Sequence, residues 1–244
     1  MIELKSLTKR FGDIVAVNRL NLSVFGGEIF GFIGPNGAGK TTTLRMMGGV
    51  LAPTEGSVMI DGIDMAEEPE KAKKRIGFIP DRPFLYEKLT GLEFLRFTAD
   101  LYGIEDSSFR KKSEEVLKKF SLHHWADELI ESYSHGMKQR LIISAAILHD
   151  PKVIVVDEPM VGLDPAGTRM VKELFRDLAK RGTTIFVSTH TLAVAEDVCD
   201  RIGIIHRGVL IATGTAEELR LRARVREGDL EEAFMILTEG ESIS

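Results

Sequence analysis

Apolar and polar positions alternate twice near the start of the chain, at Ile2 and Leu4 and again at Leu20, Leu22 and Val24. A period of two puts one face on a core and the other in water, so both stretches predict half-buried antiparallel strands. Gly26 and Gly27 predict a turn, and "EIFGFIG" (residues 28–34) predicts a buried strand behind it. "TTTLRMMGGV" then predicts a helix that stops at Gly48 and Gly49, and "GSVMIDG" another short strand.

Between about residues 83 and 150 the pattern turns helical. Thr90 followed by Glu93 forms a capping box that opens "GLEFLRFTADLYG", closed by Gly103. "FRKKSEEVLKKF" predicts a second amphipathic helix, and a third starts after Ser134. Strands and helices alternate afterwards. Residues 153–156 are an unbroken β-branched run, as suits a parallel strand covered on both faces. Asp164 and Pro165 read as cap and first turn of a helix over 166–180. "TTIFVSTH" is a further buried strand, with a helix behind it to about Cys199. "RIGIIHRGVLIATG" reads as a hairpin turning at Arg207 and Gly208. Residues 220–229 are charged and broken by glycine, which predicts a linker, followed by a short helix around 230–237. The expectation is an α/β domain with a parallel-sheet core, an N-terminal antiparallel β subdomain and a helical insert over 83–150. Its boundaries are 1–219 for the domain and 220–244 for the linker and last helix.

Composition narrows the class. The chain has 244 residues, 43% hydrophobic and 28% charged, enough for a sizeable core. A net charge of −5 argues against a nucleic-acid partner, and the basic run Lys71, Lys73, Lys74, Arg75 reads as a solvated helix face. Cys199 is the only cysteine, which excludes an internal disulfide and fits a reducing compartment. The N-terminus reads as free of a secretory signal. The longest apolar run, residues 141–148, is too short to cross a bilayer.

Chemistry concentrates at a few places. "GPNGAGKTT" comprises Gly34, Pro35, Asn36, Gly37, Ala38, Gly39, Lys40, Thr41 and Thr42 and fits G-x-x-x-x-G-K-[ST] between a strand and a helix. Its glycines let backbone N–H groups turn toward phosphate oxygens, Lys40 supplies a cation for the β- and γ-phosphates, and Thr41 offers a hydroxyl to Mg²⁺. "VIVVDEP" ends a buried strand in Asp157, suited to supporting Mg²⁺, and Glu158, suited to polarising an attacking water. "YSHGMKQRL" (residues 133–141) looks like a second anion-binding helix start, with Ser134 as cap and Gly136 allowing close approach.

The phosphate loop, "YSHGMKQRL", "VIVVDEP", "GLDP" and "STH" occur in that order, and together they resemble the ATP-binding subunit of an ABC transporter. The resemblance spans about residues 2–215, and "LEEAFMILTEG" resembles the tail of a mostly exporting branch. It implies an ATPase, with ATP and Mg²⁺ as its cofactors, that drives transport through an integral membrane permease and sits at the cytoplasmic face of the cell membrane through that partner. It implies a head-to-tail pair with a second copy or a related chain. Ser134 and Gly136 would then touch the γ-phosphate held by the other chain's loop, and Asp164 would cross the interface. It assigns Phe11 to stacking on adenine with Ala16 nearby, and His190 to the γ-phosphate and attacking water. Two positions depart from the family pattern. Asp81 stands where glutamine is usual; it can reach Mg²⁺ or water but is shorter and charged. Ser134-His135-Gly136-Met137 replaces Ser-Gly-Gly-Gln, which keeps the serine and second glycine for the phosphate and weakens contacts to the ribose across the interface.

The competing reading is a soluble ABC-type ATPase of repair or translation. Such chains carry long coiled-coil insertions or two fused ATPase domains, and neither occurs in this sequence. A GTP switch would need N-K-x-D, which is absent, and a non-catalytic nucleotide module is disfavoured by Glu158 and His190.

Overall fold

The computed structural model describes residues 1–81, 84–225 and 230–239. In chain order the strands are β1 (Ile2–Phe11), β2 (Ile14–Val24), β3 (Ile29–Ile33), β4 (Glu55–Ile60), β5 (Ile63–Asp64), β6 (Ile76–Ile79), β7 (Val153–Asp157), β8 (Thr184–Thr189), β9 (Arg201–His206) and β10 (Val209–Gly214). The helices are α1 (Lys40–Met47), α2 (Pro69–Lys73), α3 (Gly91–Leu101), α4 (Asp106–Lys119), α5 (His135–Ile147), α6 (Pro165–Lys180), α7 (Leu192–Val198), α8 (Ala216–Arg222) and α9 (Leu230–Glu239).

Alternation does what a period of two requires. β1 and β2 pair antiparallel with Ile2 opposite Val24 and Leu4 opposite Leu22, so these side chains line one buried face. β4 and β5 extend this sheet in the order β2-β1-β4-β5. The second sheet runs β10-β9-β3-β8-β7-β6, parallel except for its antiparallel edge hairpin. β3, β7 and β8 are buried at every residue, because helices or the first sheet cover both faces.

One core lies between the sheets and around α1, where Leu4, Leu22, Leu44 and Met47 meet Phe30, Phe32 and Phe186. The three rings are in contact, with Phe186 centred 5.6 Å from Phe30 and 5.3 Å from Phe32. A second core joins the opposite face to α3, α4, α5 and α6 through Leu95, Phe120, Leu141 and Phe175.

The helical insert starts with the expected reciprocal cap. The Thr90 hydroxyl accepts from the Glu93 amide, and the Glu93 carboxylate accepts from the Thr90 amide. Its expected boundary at Pro83 lies outside the described residues, as do 226–229 and 240–244 of the expected linker and tail. The linker needs correction where it is described. α8 runs through residues 220–222, opened by a second capping box of Thr215 with Glu218. Its Leu219 is fully buried beside Ile33, Ile202 and Leu230, so hydrophobic burial overrides the charged composition that suggested a linker.

Candidate functional site

The parallel strands bring three chain segments to one edge. Ile33 is in register with Thr189 on β8 and with Ile204 on β9, and Asp157 is in register with Ser188. The residues that follow β3, β7 and β8 are therefore neighbours at the carboxyl end of the sheet, where open α/β folds place ligands.

The loop from Gly34 to Gly39 is held tightly. A Cβ on Gly39 (φ 107°) would fall 2.5 Å from the Ala16 carbonyl, and one on Gly34 would fall 2.3 Å from the Ile205 carbonyl. The Gly208 amide donates to the Ala38 carbonyl (2.9 Å), and the Asn18 amide donates to the Gly208 carbonyl (2.8 Å). These bonds tie the loop to both the β9–β10 turn and β2. The turn itself is left-handed at Arg207 and Gly208 (φ 47° and 81°). Sequence reading placed the turn correctly but assigned Gly208 no part in holding the loop.

Lys40 is buried, and its ammonium donates to the carbonyls of Gly34 (2.6 Å) and Pro35 (3.1 Å). Burial lowers its pKa, while the Glu158 and Asp157 carboxylates pull it back up. No side chain caps α1, so its first amides stay available to an anion. A cleft of about 180 Å³ beside the loop is lined by Ala16, Asn36, Gly37, Gly39, Lys40, Thr41 and Thr42. Phe11 is 50% exposed, with the Lys9 ammonium 5.3 Å from its ring centre. The ring is thus presented rather than spent on the core.

Asp157 is buried, and its Oδ2 accepts the Thr41 hydroxyl (2.9 Å). Burial pushes its carboxyl above the ordinary aspartate value. Asp81 lines a cavity of about 530 Å³ with Thr41, Arg45 and Asp157, so the three residues assigned to metal converge there. Among the described residues no three His, Cys, Asp or Glu side chains gather into a cage. A hydroxyl beside carboxylate oxygens nevertheless fits Mg²⁺, which takes few protein oxygens and completes its shell with phosphate and water.

Glu158 and His190 are in direct contact. The His190 amide donates to Glu158 Oε1 (2.8 Å), and His190 Nδ1 lies 2.6 Å from the same oxygen. An ionised carboxylate only accepts, so Nδ1 carries a proton toward Glu158 and Nε2 faces away from it. Thr189, which sequence reading passed over, donates its hydroxyl to Glu158 Oε2 (3.0 Å).

Ser134, Gly136 and Asp164 are not among the residues lining the phosphate-loop cleft. Ser134 caps α5 by accepting the Met137 amide (3.3 Å), and Asp164 caps α6 by accepting the Gly167 amide (2.7 Å). Within the chain these two helix starts meet each other. A Cβ on Gly136 would be 3.5 Å from the Gly162 carbonyl, and one on Gly162 would overlap the His135 ring.

The family model described as "ABC transporter" matches residues 17–161. A relative in Escherichia coli (strain K12), "Probable multidrug ABC transporter ATP-binding protein YbhF", is 38% identical over 97% of this chain, which spans 41% of that protein's length. The "Bacitracin transport ATP-binding protein BcrA" of Bacillus licheniformis is 40% identical over 92% of this chain and 72% of its own. A solved structure described as an ATP-binding subunit of an ABC transporter superposes with a TM-score of 0.92 at 34% identity, covering 98% of this chain and 99% of the other. A cassette solved as a dimer in a post-hydrolysis state with ADP and phosphate gives 0.78 at 30% identity, over 88% of this chain and 98% of that one.

Proposed function

The chain belongs to the ABC transporter family of ATP-binding subunits, and we propose from that premise that it hydrolyses ATP to power export through a separate membrane-spanning partner. One observation carries the reading. Lys40, the Thr41–Asp157 pair and the Glu158–His190 pair converge at the carboxyl edge of one parallel sheet.

ATP lies with its triphosphate along the loop, its β- and γ-phosphates on Lys40 and the α1 amides, and its base on Phe11. Glu158 orients the attacking water and takes its proton as the oxygen bonds to the γ-phosphorus. The bond to the bridging oxygen breaks, releasing ADP and phosphate. His190 holds Glu158 through Nδ1–H, and only in its imidazolium form, where both ring nitrogens donate, does Nε2–H reach the γ-phosphate. Thr41, Asp157 and Asp81 are the residues that would hold Mg²⁺, which when bound neutralises phosphate charge.

A head-to-tail pair of chains uses the remaining helix start. Ser134 and Gly136 of one copy meet the γ-phosphate on the loop of the other, with Asp164 alongside. The dimeric cassette among the similar structures supports this arrangement. The export direction is supported by the names of the relatives, a probable multidrug transporter and a bacitracin transporter. No described helix is long and apolar enough to span a bilayer, so the membrane work falls to the partner, and this chain sits peripherally on the inner face. The helical insert offers a surface for such a partner. Phe84, Tyr86 and Phe97 stack edge to face, are exposed, and line a groove of about 850 Å³.

The test is co-purification from detergent-solubilised native membranes, with wild type beside Phe97→Glu. Wild type should retain a stoichiometric multi-span protein, and Phe97→Glu should lose it with the isolated chain's ATPase rate unchanged. Recovery of soluble or ribosomal partners alone, in an active preparation, contradicts the transport reading.

A further inference from the structure

Glu158 sits in the left-handed backbone region, with φ 49°. For a residue with a Cβ this region is disfavoured by about 1–2 kcal/mol. Its amide donates to the Ser188 carbonyl (2.8 Å), the last rung of the parallel β7–β8 ladder, so the left-handed turn falls where the pairing ends. From that position the carboxylate reaches residues 189 and 190.

The two oxygens of the carboxylate are held differently. Both His190 donors, the amide and Nδ1, converge on Oε1. A carboxylate gripped at one oxygen can still pivot, because the last torsion of glutamate is broad. Oε2 is fixed by Thr189 Oγ1, 3.0 Å away. Thr189 is a buried residue at the end of β8, in register with Ile33. Its Oγ1 also accepts the Thr191 amide (3.1 Å). A hydroxyl has one proton to give, and with the amide occupying a lone pair that proton is aimed at Glu158.

We infer that Thr189 is a positioning residue for ATP hydrolysis: its hydroxyl, oriented by the Thr191 amide, holds Oε2 of Glu158 so that the carboxylate presents one fixed orientation to the attacking water. This rests on the reading of Glu158 as general base. The Thr189 hydroxyl is engaged by Glu158 and the Thr191 amide and acts through Glu158, so its loss should appear in turnover and not in nucleotide binding.

The experiment compares Thr189→Val, which keeps the branched shape without the hydroxyl, with Thr189→Ser, which keeps the hydroxyl. Both are measured with Mg²⁺ and ATP beside wild type and Glu158→Gln. Thr189→Val should lower kcat about 10- to 100-fold, the range expected for a misplaced catalytic group, with KM and ATP affinity within about twofold of wild type. Thr189→Ser should return kcat to within about threefold. Adding Thr189→Val to Glu158→Gln should slow single turnover no further, because one residue works through the other. If Glu158→Gln turns over like wild type, the general-base reading fails. If Glu158→Gln stops turnover while Thr189→Val keeps the wild-type kcat, or weakens ATP binding instead, or Thr189→Ser fails to rescue, the assignment of Thr189 alone is overturned. Should Thr189→Val not fold by circular dichroism, Thr189→Ala is judged by the same criteria.

Discussion

Gly39 shows how little room single residues leave at the site. Its φ of 107° and the Ala16 carbonyl 2.5 Å from an added Cβ mean that any side chain must push β2 off the phosphate loop. Gly39→Ala should destabilise the fold by more than about 2 kcal/mol and abolish measurable ATP binding. Calorimetry with ATP checks the binding and thermal unfolding the stability. Lys40, Thr41, Asp157 and Glu158 were legible in the sequence because their motifs have fixed spacing and a strand in front. Thr189 was not, because "STH" directs attention to the histidine. Its bond to Glu158 depends on a left-handed turn at residue 158 that no propensity signals for glutamate.

Elements were read best where a local rule has one outcome. The Thr90–Glu93 box, the Ser134 and Asp164 caps and the Arg207–Gly208 turn all stand where the pattern put them. α8 was missed because its exposed face is charged and only Leu219 reports its burial. Contacts between elements lie further from sequence. At the base of the insert the His149 ring stacks on Tyr102, with centroids 3.6 Å apart and planes 11° apart, and its Nε2–H donates to the Ile76 carbonyl (3.0 Å). This joins the ends of α5 and α3 to β6. Nδ1 is buried without a partner, and burial lowers the pKa to about 4, with Asp150 raising it and Lys112 lowering it. The unfolded chain therefore binds a proton here between about pH 6.5 and 4 that the folded chain does not. Stability contributed at this position is present above the unfolded value and lost as pH falls through that window. His149→Phe, which keeps a stacked ring, should flatten the decline in chemical-denaturation stability between pH 6.5 and 4; an unchanged slope contradicts this account.

At the scale of the whole molecule, two helix starts proposed to bind phosphate, those of α1 and α5, are the defining feature. One faces the chain's own phosphate loop, and the other, capped by Ser134, stands apart from that cleft. In the proposed head-to-tail pair each would complete the partner's site, which would couple ATP occupancy to closure and closure to the aromatic groove of the insert. Ser134→Arg should leave ATP binding intact and stop hydrolysis, because in the proposed pair the substituted side chain would meet only the nucleotide of the other chain. Equal loss of binding and hydrolysis would place Ser134 in its own chain's site.

The shared site is tested most directly by the mass of Glu158→Gln in light scattering, with and without Mg²⁺ and ATP. The account predicts a 27.1 kDa monomer without nucleotide, a species of twice that mass with ATP, and a return to monomer when Ser134→Arg is added. A Glu158→Gln chain that binds ATP to saturation and stays monomeric would contradict it.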